Sequence, residues 1–140
     1  MDSDIRSLLL ELDFKLHESQ IKQIFAQMVA AIEYCHRLNI VHRDVKLENF
    51  LINVSEDSEG EVNMQVKLCD FGLAFQYEPD KPPTKKCGSI LAVAPEILTN
   101  DSYCHKVDIW ALGIILHELL TTRLPFYNDV DNIYKINIIN

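Results

Sequence analysis

Glycine is scarce in this chain, and the N-terminal part has none. The 140 residues contain four glycines, and the first of them is Gly60. A glycine-rich loop that wraps phosphate groups with backbone N–H donors needs several glycines close together. Such a loop is absent from the printed residues, so any chemistry on a nucleotide has to be sought in other motifs.

Long apolar runs, positive net charge and paired cysteines are missing as well. The most apolar stretch, 109–120, is interrupted by His117 and Glu118, so we expect no membrane span. The net charge of −8 disfavours nucleic acid and anionic membranes as partners. The four cysteines are widely spaced, without a C-x-x-C pair. We therefore expect free thiols and a reducing location, cytoplasmic or nuclear.

The apolar residues follow helical and strand periods in different parts of the chain. Between 17 and 38 they recur every three or four residues, which predicts a long helix. The stretches 50–54 and 62–68 read as strands around an acidic turn, and 107–120 predicts a buried helix. Residues 131–139 begin another amphipathic segment. With 48% apolar residues, the chain is expected to fold as one domain.

Charged residues are concentrated in one short segment between two apolar runs. The segment from His42 to Asn49 contains an acid at Asp44 and a base at Lys46. A purely structural turn more often uses Gly, Pro or Asn and few charges. The apolar runs on both sides predict that the ends of this loop are anchored, and its charge therefore indicates a functional site.

A second acid, Asp70, follows directly after the second predicted strand, in the sequence Asp70-Phe71-Gly72. Together with Asp44 and Asn49 it gives two carboxylates and an amide at the ends of strands. Mg²⁺ prefers oxygen ligands, and a few from the protein suffice when phosphates supply the others. A carboxylate that is not a metal ligand can orient a hydroxyl and accept its proton. The pattern predicts phosphoryl transfer.

These motifs resemble those of eukaryotic protein kinases. The likeness rests on His42-Arg43-Asp44-x-Lys46-x-x-Asn49, Asp70-Phe71-Gly72, Ala94-Pro95-Glu96 and Asp108-Ile109-Trp110-x-x-Gly113, which occur in the family's order. The resemblance implies an α+β fold, namely the mainly α-helical large (C-terminal) lobe with a short antiparallel hairpin. Since no glycine-rich loop and no ATP-anchoring lysine precede His42, we expect the small lobe to be absent. Residues 1–140 are then a partial protein kinase domain.

The resemblance implies a role for each matching residue. Asp44 is expected to be the catalytic base, and Lys46 to neutralise the transferred γ-phosphate of ATP. Asn49 and Asp70 are expected to hold Mg²⁺, and Leu51 to lie beneath the adenine ring. The cofactors implied are thus ATP and Mg²⁺, and the partner is a protein substrate with a Ser or Thr acceptor.

Further residues place the chain within the family. Lys46 and Gly88-Ser89 match the motifs of serine/threonine kinases. The sequences of the motifs most resemble those of the calcium/calmodulin-dependent and AMP-activated groups. His42 and Phe71 are expected to contact each other, and Asp108 to accept hydrogen bonds from the catalytic-loop backbone. Glu48 and the negative net charge favour basic residues near the acceptor of the substrate.

Two questions stay open at the level of sequence. Thr84 is a candidate phosphorylation site whose phosphate Arg43 would bind, or it is an ordinary exposed loop threonine. The chain as a whole is a serine/threonine kinase fragment carrying the catalytic and metal-binding loops, or a catalytically silent kinase-like module that binds partners. The intact set of Asp44, Lys46, Asn49 and Asp70 favours the first reading.

Overall fold

A computed structural model describes residues 3–60, 62–78 and 80–126. The predicted amphipathic segment 131–139 lies outside the described residues. In chain order the helices are α1 (Ile5–Glu11), α2 (Glu18–Arg37), α3 (Pro95–Thr99) and α4 (Lys106–Thr121). The strands are β1 (Ser3–Asp4), β2 (Ile40–Val41), β3 (Phe50–Glu56), β4 (Val62–Leu68) and β5 (Phe75–Gln76).

The long helix predicted before the charged loop is present as α2. Its N-terminus is closed by a capping box, in which the Gln20 side chain accepts a hydrogen bond from the backbone N–H of His17 at 2.9 Å. The predicted apolar stripe faces the protein interior. Its buried members are Ile21, Ile24, Met28, Ile32 and Cys35.

The predicted hairpin is confirmed as well. Strands β3 and β4 pair antiparallel from Phe50 opposite Leu68 to Glu56 opposite Val62. Its free edge is covered by Gln27 of α2, whose amide donates to the carbonyl of Met64 at 2.8 Å and accepts from the N–H of Val66 at 3.0 Å. This side chain replaces a missing neighbouring strand and fixes the hairpin on the helix.

The predicted fold class, a mainly helical large lobe with one short hairpin and no small lobe, was wrong. The five strands of the described residues lie between Ser3 and Gln76 and form two sheets, with strand orders β1-β3-β4 and β2-β5. The N-terminal half is therefore rich in β-structure and is not a helical lobe alone. Three of the strands are only two residues long. Strands this short have no visible alternation and arise from pairing with distant residues, so periodicity could not reveal them.

Helix α4 supplies much of the core, although it is less enclosed than predicted. Its side chains Leu112, Ile115 and Leu119 are at most 4% exposed and pack in the main cluster with α1, α2 and the hairpin. However, Ile109 and Leu120 are more than half exposed. The helix is thus buried on one broad side and open on another. No helix in the described part of the chain is both long and apolar enough to cross a bilayer.

Candidate active site

Asp108 of α4 holds the charged loop from His42 to Asn49 through hydrogen bonds to its backbone. The carboxylate of Asp108 is 1% exposed and accepts hydrogen bonds from the backbone N–H groups of His42 and Arg43, each at 2.9 Å. The ring Nε2 of His36 lies 2.8 Å from the same carboxylate. The predicted contact between Asp108 and the loop backbone is confirmed, and it ties the loop to the core helix.

His42 joins this loop to the segment that carries Asp70. Its Nε2 lies 3.1 Å from the carbonyl oxygen of Cys69. Its ring meets the ring of Phe71 edge to face, with centroids 5.0 Å apart, so the predicted contact is confirmed. The residue is fully buried, which matches a structural role and not a catalytic one.

Asp44 lies at the centre of a small polar network. Its Oδ1 accepts hydrogen bonds from the backbone N–H and the hydroxyl of Ser89, at 2.9 and 2.7 Å. Its Oδ2 lies 2.8 Å from Nζ of Lys46, and the amide of Asn49 donates to the same oxygen at 3.2 Å. The structure therefore brings together three of the residues that the sequence selected and adds Ser89 to them.

This network shifts the pKa values of Asp44 and Lys46 in opposite directions. Burial alone would raise the pKa of Asp44, but the hydrogen bonds from Lys46 and Ser89 and the charge of Lys46 outweigh it and lower that pKa. The hydrogen bond to Asp44 raises the pKa of Lys46, although burial opposes this change. Asp44 is thus ionised at neutral pH, as a group that orients a hydroxyl and accepts its proton must be.

The opposite shifts predict how stability depends on pH. The Asp44 carboxylate stabilises the fold above its ordinary pKa of 3.8, and this contribution is lost as the pH falls through the lower folded value. Protonated Lys46 stabilises the fold below its ordinary pKa of 10.5, and this contribution is lost as the pH rises through the higher folded value. Urea denaturation at a series of pH values should show both losses. An Asp44→Asn chain should lose less stability on acidification, and an unchanged acid limb would contradict the assignment.

Asn49 and Asp70 have the donor groups that a hard cation needs. The amide nitrogen of Asn49 donates to the backbone carbonyl and Oδ2 of Asp44, at 2.8 and 3.2 Å. Its carbonyl oxygen is therefore the atom left for a cation, and oxygen is the donor that Mg²⁺ prefers. The backbone N–H of Cys69, the neighbour of Asp70, donates to the backbone carbonyl oxygen of Asn49 at 2.9 Å. Asp70 is also exposed and has a positive φ of 57°.

One amide and one carboxylate form a sparse site. Within the ranges that the structure describes, no group of three or more His, Cys, Asp or Glu side chains could hold a metal ion by itself. A pair of oxygen donors fits a cation that takes its other ligands from phosphate oxygens and water. The residues present are compatible with Mg²⁺ bound together with a nucleotide, and they do not form a closed structural metal site.

Leu51 lies on β3, next to these groups along the chain. Its neighbours Phe50 and Ile52 are buried in the core, whereas Leu51 is half-buried and points to the opposite face of the sheet. It pairs with Asp4 of β1 and Lys67 of β4. The position leaves an apolar side chain accessible on that face, and contact with adenine stays a prediction.

Ser89 was not predicted as a contact of Asp44, and its position depends on the glycine before it. Gly88 has a φ of +102°, and a Cβ built on it would lie 2.5 Å from the carbonyl oxygen of Arg43. Only glycine allows the backbone of this segment to approach the loop so closely. The signal in the sequence was Gly88, one of only four glycines, followed directly by a hydroxyl side chain.

Arg43 is occupied by contacts other than the one predicted for it. Its Nε donates to the carbonyl of Leu73 at 2.6 Å, and its Nη1 donates to the hydroxyl of Tyr103 at 3.3 Å. The guanidinium also lies over the ring of Phe75, 5.2 Å from its centroid. Thr84 is exposed, and its phosphorylation and binding by Arg43 stay predictions.

Sequence reasoning also missed an ion pair at the side of the site. Arg6 of α1 donates from Nη1 and Nη2 to the two carboxylate oxygens of Glu118 on α4, at 2.5 and 3.0 Å. Its Nε reaches Glu48 at 3.2 Å. These residues are 42 and 112 positions from Arg6 in the chain, so no local pattern could connect them.

The chain is similar to several known proteins. A family model described as "Protein kinase domain" matches residues 2–140, which includes the strand-rich half of the chain. The SNF-related serine/threonine-protein kinase of Homo sapiens is 42% identical over 130 residues, covering 92% of this chain and 16% of that protein. The probable serine/threonine-protein kinase MARK-C of Dictyostelium discoideum is 44% identical over 115 residues, 81% of this chain and 14% of that protein.

A third similar protein is serine/threonine-protein kinase SIK1 of Mus musculus. It is 42% identical over 112 residues, which is 79% of this chain and 13% of that protein. The chain therefore spans less than a fifth of the length of these curated relatives.

Proposed function

Since this chain belongs to the protein kinase family, and to its serine/threonine branch as its motifs predicted, we propose that it takes part in transfer of the ATP γ-phosphate to a serine or threonine hydroxyl of a protein. The observation that carries this proposal is the network in which Asp44 is bound by Lys46, Asn49 and Ser89. We further propose that residues 1–140 are part of a catalytic domain and that the protein acts in the cytoplasm or nucleus.

Each residue of the network has a distinct part in the proposed reaction. Asp44 is ionised, so it orients the hydroxyl of the substrate and accepts its proton. The ammonium of Lys46 lies beside that carboxylate and offers positive charge to the transferred phosphoryl group. The hydroxyl of Ser89 already donates to Asp44 at 2.7 Å, and the hydroxyl of the substrate would donate to the same carboxylate.

Asn49 and Asp70 would hold Mg²⁺ through their side-chain oxygens. The cation would neutralise part of the negative charge on the phosphates. The backbone hydrogen bond between Asn49 and Cys69 keeps the catalytic loop and the Asp70 segment adjacent. This link supports a shared site for the cation and the acceptor hydroxyl.

Transfer of labelled phosphate tests the proposal directly. The full-length natural protein should label peptides with a serine or threonine acceptor from γ-labelled ATP and Mg²⁺. Peptides with alanine or tyrosine at that position should stay unlabelled, and chelation of the metal should stop the reaction. If ATP binds but no peptide or protein is ever labelled, the chain is a silent kinase-like binding module instead.

A further inference from the structure

A cleft opens directly beside the proposed site of transfer. Its volume is about 250 Å³, and both Lys46 and Ser89 line it. This volume is below the roughly 300–1,000 Å³ of most small-molecule sites, so it suits a single side chain better than a separate ligand. Most of its wall is apolar and is formed by Leu47, Leu91, Ala92, Ile114, Ile115 and Leu124.

The charged residues of this cleft are Arg6, Lys46, Glu48 and Glu118. The side chain of Glu118 is 8% exposed, and Arg6 binds both of its oxygens in a fork. Burial alone would lower the pKa of Arg6, but the hydrogen bonds and charges of Glu118 and Glu48 outweigh it and raise that pKa. The guanidinium therefore stays charged and fully engaged. The two positive charges of Arg6 and Lys46 thus balance the two negative charges of Glu48 and Glu118 at the rim of an apolar cleft.

Arg6 determines which side chains the cleft can accept. Without it, two carboxylates would face the cleft and attract a lysine or arginine. With it, Glu118 is already paired, and an incoming basic group would meet the like charge of Arg6. The basic preference that Glu48 suggested from the sequence is therefore opposed by a residue from a distant helix.

We propose that this cleft receives an aliphatic side chain of the protein substrate, close to its acceptor hydroxyl, and that Arg6 sets the preference for aliphatic over basic residues. The proposal rests on the serine/threonine kinase function proposed above. It makes Arg6 a specificity-determining residue, which neither binds ATP nor takes part in the transfer itself.

A positional peptide library tests the proposal. Each peptide has one serine acceptor and one fixed flanking position, occupied by leucine, arginine or glycine. At one flanking position, leucine should exceed arginine by about tenfold in phosphorylation efficiency, as burial of most of one leucine side chain would give. Binding of the same fluorescent peptides is measured by anisotropy. If no peptide is phosphorylated, the kinase function fails, whereas the binding ratio still decides the preference of the cleft.

Variants at the cleft provide the decisive comparison. Arg6→Ala should reverse the preference toward arginine, because it leaves Glu48 and Glu118 without their counter-charge. Arg6→Ala combined with Glu118→Gln should bring the leucine preference back. Arg37→Ala is the matched control, since Arg37 is 67% exposed and its charged group interacts with Glu33 and Tyr34 of its own helix, away from the cleft. Its leucine-to-arginine ratio should equal that of the unmodified protein.

Glu48→Gln keeps the proposal testable if the Arg6 variants do not fold. The Glu48 side chain is 47% exposed, so this substitution leaves the core intact. It should raise the leucine-to-arginine ratio, because it removes the negative charge of Glu48, which attracts arginine, and leaves the ion pair of Arg6 and Glu118 in place. A preference for arginine in the unmodified protein would overturn the proposal. A ratio that none of the cleft variants changes would overturn it as well.

Discussion

An Asp44→Asn variant should transfer phosphate about 10²–10⁴-fold more slowly, the range that a positioned general base contributes. Asparagine has nearly the same volume as aspartate, but it cannot accept the proton of the substrate hydroxyl. Its amide nitrogen would also face the donors on Lys46 or Ser89, which now bind the two carboxylate oxygens. We therefore expect kcat to fall while ATP binding is largely retained.

The measurement is kcat and KM for ATP and peptide in the full-length natural protein, with melting temperature as a check of folding. Asp101→Asn is the matched control, because it makes the same chemical change at an exposed loop position. It should keep the activity of the unmodified protein. Asp44→Asn protein that is folded and fully active would refute Asp44 as the base and would favour the reading as a binding module.

Replacing Asp108 by alanine should lower the free energy of unfolding by about 2–6 kcal/mol. The substitution leaves the backbone N–H groups of His42 and Arg43 without their acceptor, and each buried unsatisfied donor costs about 1–3 kcal/mol. Such a loss is a large part of the roughly 5–15 kcal/mol that stabilises a typical domain. Since Arg43 has a positive φ of 68°, its backbone also depends on these contacts to keep an unfavourable conformation.

Urea denaturation followed by circular dichroism measures this loss. Asp108→Asn should be intermediate, because the amide retains one acceptor oxygen for the two backbone donors. Asp101→Ala, at an exposed position, should change stability by less than about 0.5 kcal/mol. Equal stability of Asp108→Ala and Asp101→Ala would show that the hydrogen bonds of Asp108 do not hold the loop.

The longer elements could be predicted because their pattern lies within the element itself. The apolar period of α2 and the two seven-residue strands of the hairpin are present in their own residues. Strands β1, β2 and β5 are two residues each, and β1 and β5 pair with partners dozens of positions away. The predicted fold class was wrong for this reason. The residue pattern showed the helices and the β3–β4 hairpin, but it gave no sign that β1 pairs with β3 or that β2 pairs with β5.

The candidate site shows the same division. The residue types of Asp44, Lys46, Asn49 and Asp70 and their order in the sequence predict phosphoryl transfer. Their individual roles stay predictions, and the Asp44→Asn substitution tests the role of Asp44. Ser89 and Arg6 were not connected with the site because their partners are far away in the chain, 45 residues in one case and 112 in the other.

The sequence by itself indicated the family of this protein and predicted phosphoryl transfer, because an acid, a base and an amide at fixed offsets in one loop form a local pattern. Only the tertiary structure decided the charge of the cleft beside that loop. Arg6 and Glu118 come from different helices, and no local pattern states that one neutralises the other. Folding brings them to hydrogen-bonding distance, and that contact turns the basic preference suggested by Glu48 into the aliphatic preference proposed here.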